Sequence, residues 1–184
     1  MTSHDVIILG AGGAGLFCAG IAAQRGRRVI VLDHAPEPGR KIVISGGGRC
    51  NFTNVGAGWD RYVSANPPFA RSALGRYTAQ DFVALVDAHG IAWHEKTLGQ
   101  LFCDGSARQI VAMLLDEARG AEIALGQPIR DVTHADGIFT VVHGDRSVAA
   151  PSLVIATGGP SIPKLGATGF AYDLAKRFGL KLVE

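Results

Sequence analysis

The chain has 184 residues, of which 47% are hydrophobic, 18% are charged and 25 are glycine. This composition fits one sizeable, turn-rich α/β domain and excludes an intrinsically disordered chain. The net charge of +2 is too small to indicate nucleic acid as a partner, and no apolar run approaches the ~20 residues of a membrane span.

The first predicted elements are a strand at 5–9, a helix at 14–25 and a strand at 28–32. A glycine-rich turn joins the first strand to the helix, and an acid, Asp33, follows the second strand eighteen residues after the turn. The residues of the turn are Gly10, Ala11, Gly12, Gly13, Ala14 and Gly15. This order is typical of a βαβ unit that binds a dinucleotide.

Each part of this motif has a mechanical role. Gly10 permits a tight turn, Gly12 lets the backbone approach a pyrophosphate, and Gly15 lets the helix pack closely on the strand. The positive end of the helix dipole then faces the phosphates. Asp33 is placed to accept hydrogen bonds from a ribose, and its carboxylate would repel a 2′-phosphate. The motif therefore predicts FAD or NAD and disfavours NADP.

A long loop is predicted from His34 to about Ala65, because this stretch is rich in Gly, Pro and Asn. His34 lies beside the acid and is a further candidate cofactor contact. Gly39, Arg40 and Lys41 follow, and the two cations could complement a pyrophosphate. A solvated basic turn explains the same residues, so both interpretations stay open.

The segment Ser45–Asn54 is the second informative part of that loop. Consecutive glycines such as Gly47 and Gly48 are costly in chain entropy, which favours close approach to a ligand or an anion-binding nest over a flexible loop. Arg49 adds a fixed charge and Asn51 adds amide donors, which near a flavin would stabilise the reduced ring. Cys50 has no second cysteine nearby in sequence, which favours a passive thiol.

Three helices are predicted next: one from Pro67 through Leu74, one from the capping box at Thr78 to just before Gly90, and one after Ser106. Short strands are predicted at 91–93 and 100–102. Short β segments follow at 121–125, 129–133, 138–142 and 147–148, then an apolar strand at 153–156. That strand ends in Thr157, Gly158 and Gly159, a turn typical of backbone that meets a cofactor. The β-meander in place of a helical crossover favours an FAD-binding domain over an NAD-binding one.

The sequence pattern of the other reactive side chains indicates no catalytic cluster and no metal site. The three cysteines, Cys18, Cys50 and Cys103, lack metal-ligand spacing and indicate reduced thiols in the cytoplasm. The polar run at 94–96 is interpreted as a surface turn rather than a catalytic acid. The N-terminus has no positively charged region ahead of its apolar run, so no signal peptide is expected.

Together, these segments resemble the glutathione-reductase-type FAD superfamily and, within it, the bacterial NAD(P)/FAD-dependent oxidoreductases of the BaiN/RdsA type, some labelled aminoacetone oxidase-like. The resemblance rests on GAGGAG at 10–15, LDHAPEPGRK at 32–41, SGGGRCNFTN at 45–54, HEKTLGQLFCDGSA at 94–107 and the segment 154–180.

This resemblance implies a Rossmann-like FAD-binding domain, a parallel sheet with a β-meander crossover. It implies FAD with its pyrophosphate over Gly12–Gly15, its ribose at Asp33, and Arg40 and Lys41 near the cofactor. The isoalloxazine end would lie by Gly48–Asn51. A backbone contact to adenine would fall at Ile129, with 157–159 close by.

The implied activity is a cytoplasmic FAD-dependent oxidoreductase of a small-molecule substrate, with NAD(P)H as a candidate electron donor. Because family members continue well past Glu184, the chain is expected to be the N-terminal part of an FAD-binding domain. Its expected parts are a cradle over 1–50, a helical excursion over 60–120, and a β-meander with return strand over 121–159. An NAD-dependent dehydrogenase and a non-catalytic FAD-binding remnant are the alternatives.

Overall fold

The computed structural model describes residues 4–162 and 168–182. Residues 163–167, which belong to the last resembling segment, and the final two residues lie outside these ranges. The chain divides into two compact units, the first formed by residues 1–41 and 114–184 and the second by residues 42–113.

The strands and helices of the described ranges are numbered in chain order. The strands are β1 (Val6–Leu9), β2 (Val29–Leu32), β3 (Asn51–Asn54), β4 (Trp93–Glu95), β5 (Gln100–Cys103), β6 (Glu122–Ala124), β7 (Ile129–Ala135), β8 (Ile138–His143), β9 (Arg146–Ala150) and β10 (Ser152–Ile155). The helices are α1 (Gly13–Gln24), α2 (Arg40–Ile44), α3 (Arg71–Arg76), α4 (Ala79–Ala88), α5 (Arg108–Glu117) and α6 (Phe170–Arg177).

The first unit is built on a parallel sheet in the order β10-β1-β2-β6. The apolar runs of β1 and β2 are almost completely buried, as expected for parallel strands covered on both faces. Ile7 and Leu9 share one face of the sheet and pack with Val132 and Val141 of the antiparallel meander β7-β8-β9. Helix α1 contacts β1 and β2. This architecture confirms the predicted fold class.

Two predictions about secondary structure were wrong. The stretch from His34 to Ala65 is not a continuous loop, because it contains α2, a 3-10 turn at Ser45–Gly48, the strand β3 and a 3-10 turn at Trp59–Arg61. The first of the predicted β segments does not belong to the meander, because β6 pairs in parallel with β2.

The second unit contains a three-stranded antiparallel sheet in the order β3-β5-β4. The predicted capping box at the start of α4 is present, since Thr78 Oγ1 accepts from the N–H of Asp81 and the carboxylate of Asp81 accepts from the N–H of Thr78. This reciprocal pair fixes where α4 begins.

Candidate cofactor-binding site

Close contacts between backbone segments shape the glycine-rich turn of the first unit. Gly10 has a φ of +106°, and a Cβ there would lie 2.5 Å from the carbonyl oxygen of Ala156. A Cβ on Gly15 would lie 1.8 Å from the carbonyl oxygen of Gly10. Because both obstacles are backbone atoms, they cannot move aside as a flexible side chain would. The roles that the sequence predicts for these two glycines therefore agree with the geometry.

Gly12 differs from its neighbours because it faces open space. A Cβ on Gly12 would meet no atom of the described residues within 4 Å. Gly12 is also the N-cap of α1, where no side chain caps the helix and where the first turn carries no acidic residue. No acidic side chain in that turn compensates the helix dipole, and the backbone at Gly12 is open to close approach, which fits a phosphate group.

A second observation at this place points to a polar ligand. The Oγ1 of Thr157 is buried and has no hydrogen-bond partner among the described residues. Thr157 lies against the turn, since its Cα is 3.0 Å from where a Cβ on Gly10 would sit. Buried hydroxyls are usually hydrogen-bonded, so this orphaned group fits a site that a ligand completes.

Asp33 holds the turn in place. Its Oδ2 accepts a hydrogen bond from the N–H of Ala11 at 2.7 Å, and its Oδ1 accepts from the N–H of Ala35 at 2.8 Å. The carbonyl of Ala11 accepts from the N–H of Gly39 at 2.8 Å. Both backbone groups of Ala11 are therefore fixed by residues that follow β2. A carboxylate has further lone pairs, so this role leaves capacity for a ribose hydroxyl.

The segment before Ile129 packs beside Asp33 through backbone hydrogen bonds. The N–H of Asp33 donates to Ala124 at 3.0 Å, and the N–H of Gln127 donates back to the carbonyl of Asp33 at 3.3 Å. The Nδ1 of His34, an exposed side chain, is 3.4 Å from Asp33 Oδ1. The first unit thus brings the predicted ribose and adenine residues to one end of the sheet.

A polar cluster lies where β10 ends, and the sequence did not predict two of its members, Ser161 and Tyr172. Lys41 Nζ donates to Ser161 Oγ at 2.9 Å and lies 3.4 Å from the position of a Cβ on Gly158. The hydroxyl of Tyr172 on α6 is 3.2 Å from the position of a Cβ on Gly159. Tyr172 lies in the segment that carries the family resemblance, which was its one signal in the sequence.

The remaining candidate residues lie in the second unit, except Arg40, which opens α2. Gly46, Gly47 and Gly48 all have positive φ, and Cys50 also has a φ of +53°. The carbonyl of Gly48 accepts from the N–H of Ala107 at 2.7 Å. Arg49 and Asn51 have exposed side chains. The segment is a tight turn of left-handed residues, and its contact with a ligand stays a prediction.

The fold and the turn define a dinucleotide-binding domain of the Rossmann type. Residues 4–184 match the family model described as HI0933-like protein Rossmann domain, and the chain belongs to this family. The predicted membership of an FAD-binding Rossmann superfamily is confirmed at this level.

Among curated proteins, the chain is 51% identical over 185 residues to the ribosomal RNA dihydrouridine synthase of Escherichia coli, covering all of this chain and 46% of that protein. It is 28% identical over 180 residues to the 3-dehydro-bile acid delta(4,6)-reductase of Clostridium scindens, covering 94% of this chain and 43% of that protein. The chain therefore spans about half the length of these relatives.

Among solved structures, the halogenase PltM in complex with phloroglucinol and FAD matches with a TM-score of 0.55 at 20% identity. The match covers 98% of this chain and 37% of the halogenase. This likeness supports the fold. Within residues 4–162 and 168–182, no group of His, Cys, Asp or Glu side chains is arranged to hold a metal ion, and no helix is long and apolar enough to cross a membrane.

Proposed function

We propose that this chain binds FAD with its βαβ unit and forms the cofactor-binding part of a flavin-dependent oxidoreductase. The observation that carries the proposal is the uncapped start of α1, where Gly12 faces open space and the buried Thr157 hydroxyl has no partner among the described residues. Family membership supports FAD over NAD as the dinucleotide.

The proposed roles of the residues follow from this geometry. The backbone of Gly12–Gly15 binds the phosphates through the dipole of α1, and Thr157 contributes a hydroxyl beside the same turn. Asp33 positions the turn through Ala11 and accepts from a ribose hydroxyl. The contacts assigned to His34, Arg40, Lys41, Ile129, Gly158, Gly159 and residues 47–51 are part of the same proposal.

When bound, FAD supplies hydride transfer at its isoalloxazine ring. The residues of this chain contribute binding and orientation, and the sequence assigns no acid or base to the reaction. NAD(P)H is the electron donor that we propose.

The substrate class that we propose is uridine in ribosomal RNA. The support is the 51% identity to a relative named for that activity, against 28% to a relative named as a bile acid reductase. Reduction to dihydrouridine adds a hydride and a proton across one carbon–carbon double bond. This proposal departs from the expectation, based on the small net charge, that nucleic acid is not a partner.

Cofactor binding is tested by adding FAD or NAD to the purified chain and measuring its thermal unfolding. A ligand present at about 100 times its Kd stabilises a one-site binder by about 2.7 kcal/mol, so a clear rise in Tm with FAD is expected. A rise with NAD alone would favour a dehydrogenase, and no rise with either ligand would contradict binding by this chain.

The substrate is tested by deleting the gene that encodes this chain and measuring dihydrouridine in purified ribosomal RNA by mass spectrometry of nucleosides. We expect the modification to disappear and to return when the gene is restored. Unchanged dihydrouridine would contradict the RNA substrate while leaving FAD binding untouched, and turnover of a steroid-like enone would then be measured.

A further inference from the structure

Two of the three cysteines, Cys50 and Cys103, lie near each other in the second unit. Asn51, the first residue of β3, pairs with Phe102 on β5, and Cys50 and Cys103 are the neighbours of these two residues along the chain. The N–H of Cys103 donates to the carbonyl of Arg49 at 2.9 Å, which keeps the two strands together at this end. Because one peptide bond joins the carbonyl of Arg49 to Cys50, this hydrogen bond keeps the Cα atoms of Cys50 and Cys103 within about 7 Å, close to the separations that a disulfide spans.

The backbone at Cys50 favours a glycine, yet the sequence keeps a thiol there. Cys50 has a φ of +53°, in the left-handed region that Gly46, Gly47 and Gly48 also occupy. A residue with a Cβ pays about 1–2 kcal/mol for this conformation, which a fourth glycine would avoid. The Cys50 side chain is buried. The sequence therefore places a buried thiol at a backbone position that disfavours any side chain.

The two thiols differ in how readily they ionise. Burial, followed by the proximity of Cys50, raises the pKa of the Cys103 thiol to about 11. Burial also raises the pKa of Cys50, but a hydrogen bond with Ser45 opposes this effect. Cys50 is slightly exposed, at 6%, and Cys103 is not exposed at all. These differences make Cys50 the thiol that meets an oxidant first and Cys103 the resolving thiol.

We propose that Cys50 and Cys103 are a redox-active pair that closes to a disulfide when the protein meets a low-molecular-weight disulfide such as oxidised glutathione. The Cys50 thiolate attacks one sulfur of the oxidant and releases the first glutathione thiol. Cys103, after losing its proton, attacks Cys50 Sγ and releases the second. The protein loses two electrons and two protons, and the oxidant gains them as two thiols. The new bond ties the residue between Arg49 and Asn51, two proposed cofactor contacts, to β5.

The test uses the full chain with Cys18→Ala, which leaves only this pair. The chain is incubated with oxidised glutathione, free thiols are alkylated, and intact mass is measured. We expect both alkylatable thiols to disappear, with a mass lower by two hydrogens and a proteolytic fragment that joins Cys50 to Cys103. In the same background, Cys50→Ala and Cys103→Ala are matched controls that cannot close, and each should keep a free thiol or a glutathione adduct.

Three results would contradict the proposal that Cys50 and Cys103 form a redox-active pair. The first is that both thiols stay alkylatable at an oxidant concentration that oxidises them in the denatured chain. The second is a glutathione adduct that persists on Cys50 while Cys103 stays free. The third is a disulfide that joins two chains. The unmodified chain is measured in parallel and should fall from three alkylatable thiols to one.

Discussion

Two segments are rich in glycine, Gly10–Gly15 in the first unit and Ser45–Gly48 in the second. They require glycine for different reasons. In the first segment, a Cβ on Gly10 or Gly15 would collide with backbone, whereas Gly12 faces open space. In the second, all three glycines have positive φ, and a Cβ has a close neighbour only at Gly46. Tight packing thus defines the first turn and local conformation defines the second, so substitutions should affect them differently.

The largest effect is expected from Gly15→Ala. Its Cβ would lie 1.8 Å from the Gly10 carbonyl oxygen, so α1 must move away from β1. We expect a loss of about 3 kcal/mol or more in the free energy of unfolding, measured by urea denaturation. Gly12→Ala is the matched control, with a loss of at most about 1 kcal/mol but weaker FAD binding. Equal losses of unfolding free energy in Gly15→Ala and Gly12→Ala would contradict the conclusion that, of the two, only Gly15 is tightly packed.

Asp33→Asn should produce the next largest effect. The amide keeps one acceptor oxygen and turns its NH2 group toward a backbone N–H, so either Ala11 or Ala35 loses its partner. A loss of about 1–3 kcal/mol in unfolding free energy is expected, together with weaker FAD binding. His34→Gln, at the exposed neighbour, serves as the control and should change stability by about 0.5 kcal/mol or less. Unchanged stability in Asp33→Asn would show that the turn does not depend on this carboxylate.

Within the second segment, Gly46→Ala should cost more than Gly47→Ala. Both positions have positive φ, which penalises alanine by about 1 kcal/mol. At Gly46 the new Cβ would also lie 2.7 Å from the ring of Phe102 and 2.8 Å from the backbone nitrogen of Asn51, whereas at Gly47 it meets nothing within 4 Å. Chemical denaturation of both variants measures the difference. If Gly47→Ala cost as much as Gly46→Ala, packing at Gly46 would be irrelevant.

The smallest expected effect is a pH dependence that probes the first unit away from its turn. The side chain and backbone N–H of Arg28 hydrogen-bond Asp5 and lower the pKa of that carboxyl to about 2. Because the folded pKa is depressed, this stabilisation is present above the unfolded value of about 3.9 and is lost as pH falls toward 2. Tm is therefore measured for the unmodified chain and for Asp5→Asn across this pH window. The difference in Tm between them should decrease as the pH falls.

Asp81→Asn gives the corresponding probe in the second unit, where hydrogen bonds from the backbone and side chain of Thr78 lower the pKa of Asp81. Its stabilising effect has the same sign, present at neutral pH and lost with acid. A difference in Tm that stays constant down to the lowest pH would contradict the assigned pKa direction for either carboxyl.

The sequence predicted the elements whose signals are local. The apolar runs of β1 and β2 were predictable because both faces of these strands are buried, and the run of β10 was predictable from its apolar residues although that strand is only partly buried. Helix α2 was missed because its five residues are too few to show a helical period. Strand β3 was missed because it exists only by pairing with β5, which is distant in sequence.

The same limit applies to the candidate site. Residue types and spacing predicted Asp33 as a ribose acceptor, but its bond to Ala11 involves a backbone N–H that no sequence pattern marks. The hydrogen bond from Cys103 to the carbonyl of Arg49 joins segments that are distant in sequence, so the sequence showed no partner for Cys50 and favoured a passive thiol. Whether each of the predicted residues contacts FAD stays a prediction.

The anchoring of Ala11 has a consequence for how the chain folds as it is synthesised. Asp33 and Gly39, which fix its N–H and its carbonyl, emerge from the ribosome only after the second strand of the βαβ unit. A nascent chain that ends before Gly39 therefore cannot lock the turn, even though every glycine of the motif is already present. The turn should consequently lock only beyond a defined chain length, which two residues outside the glycine motif set.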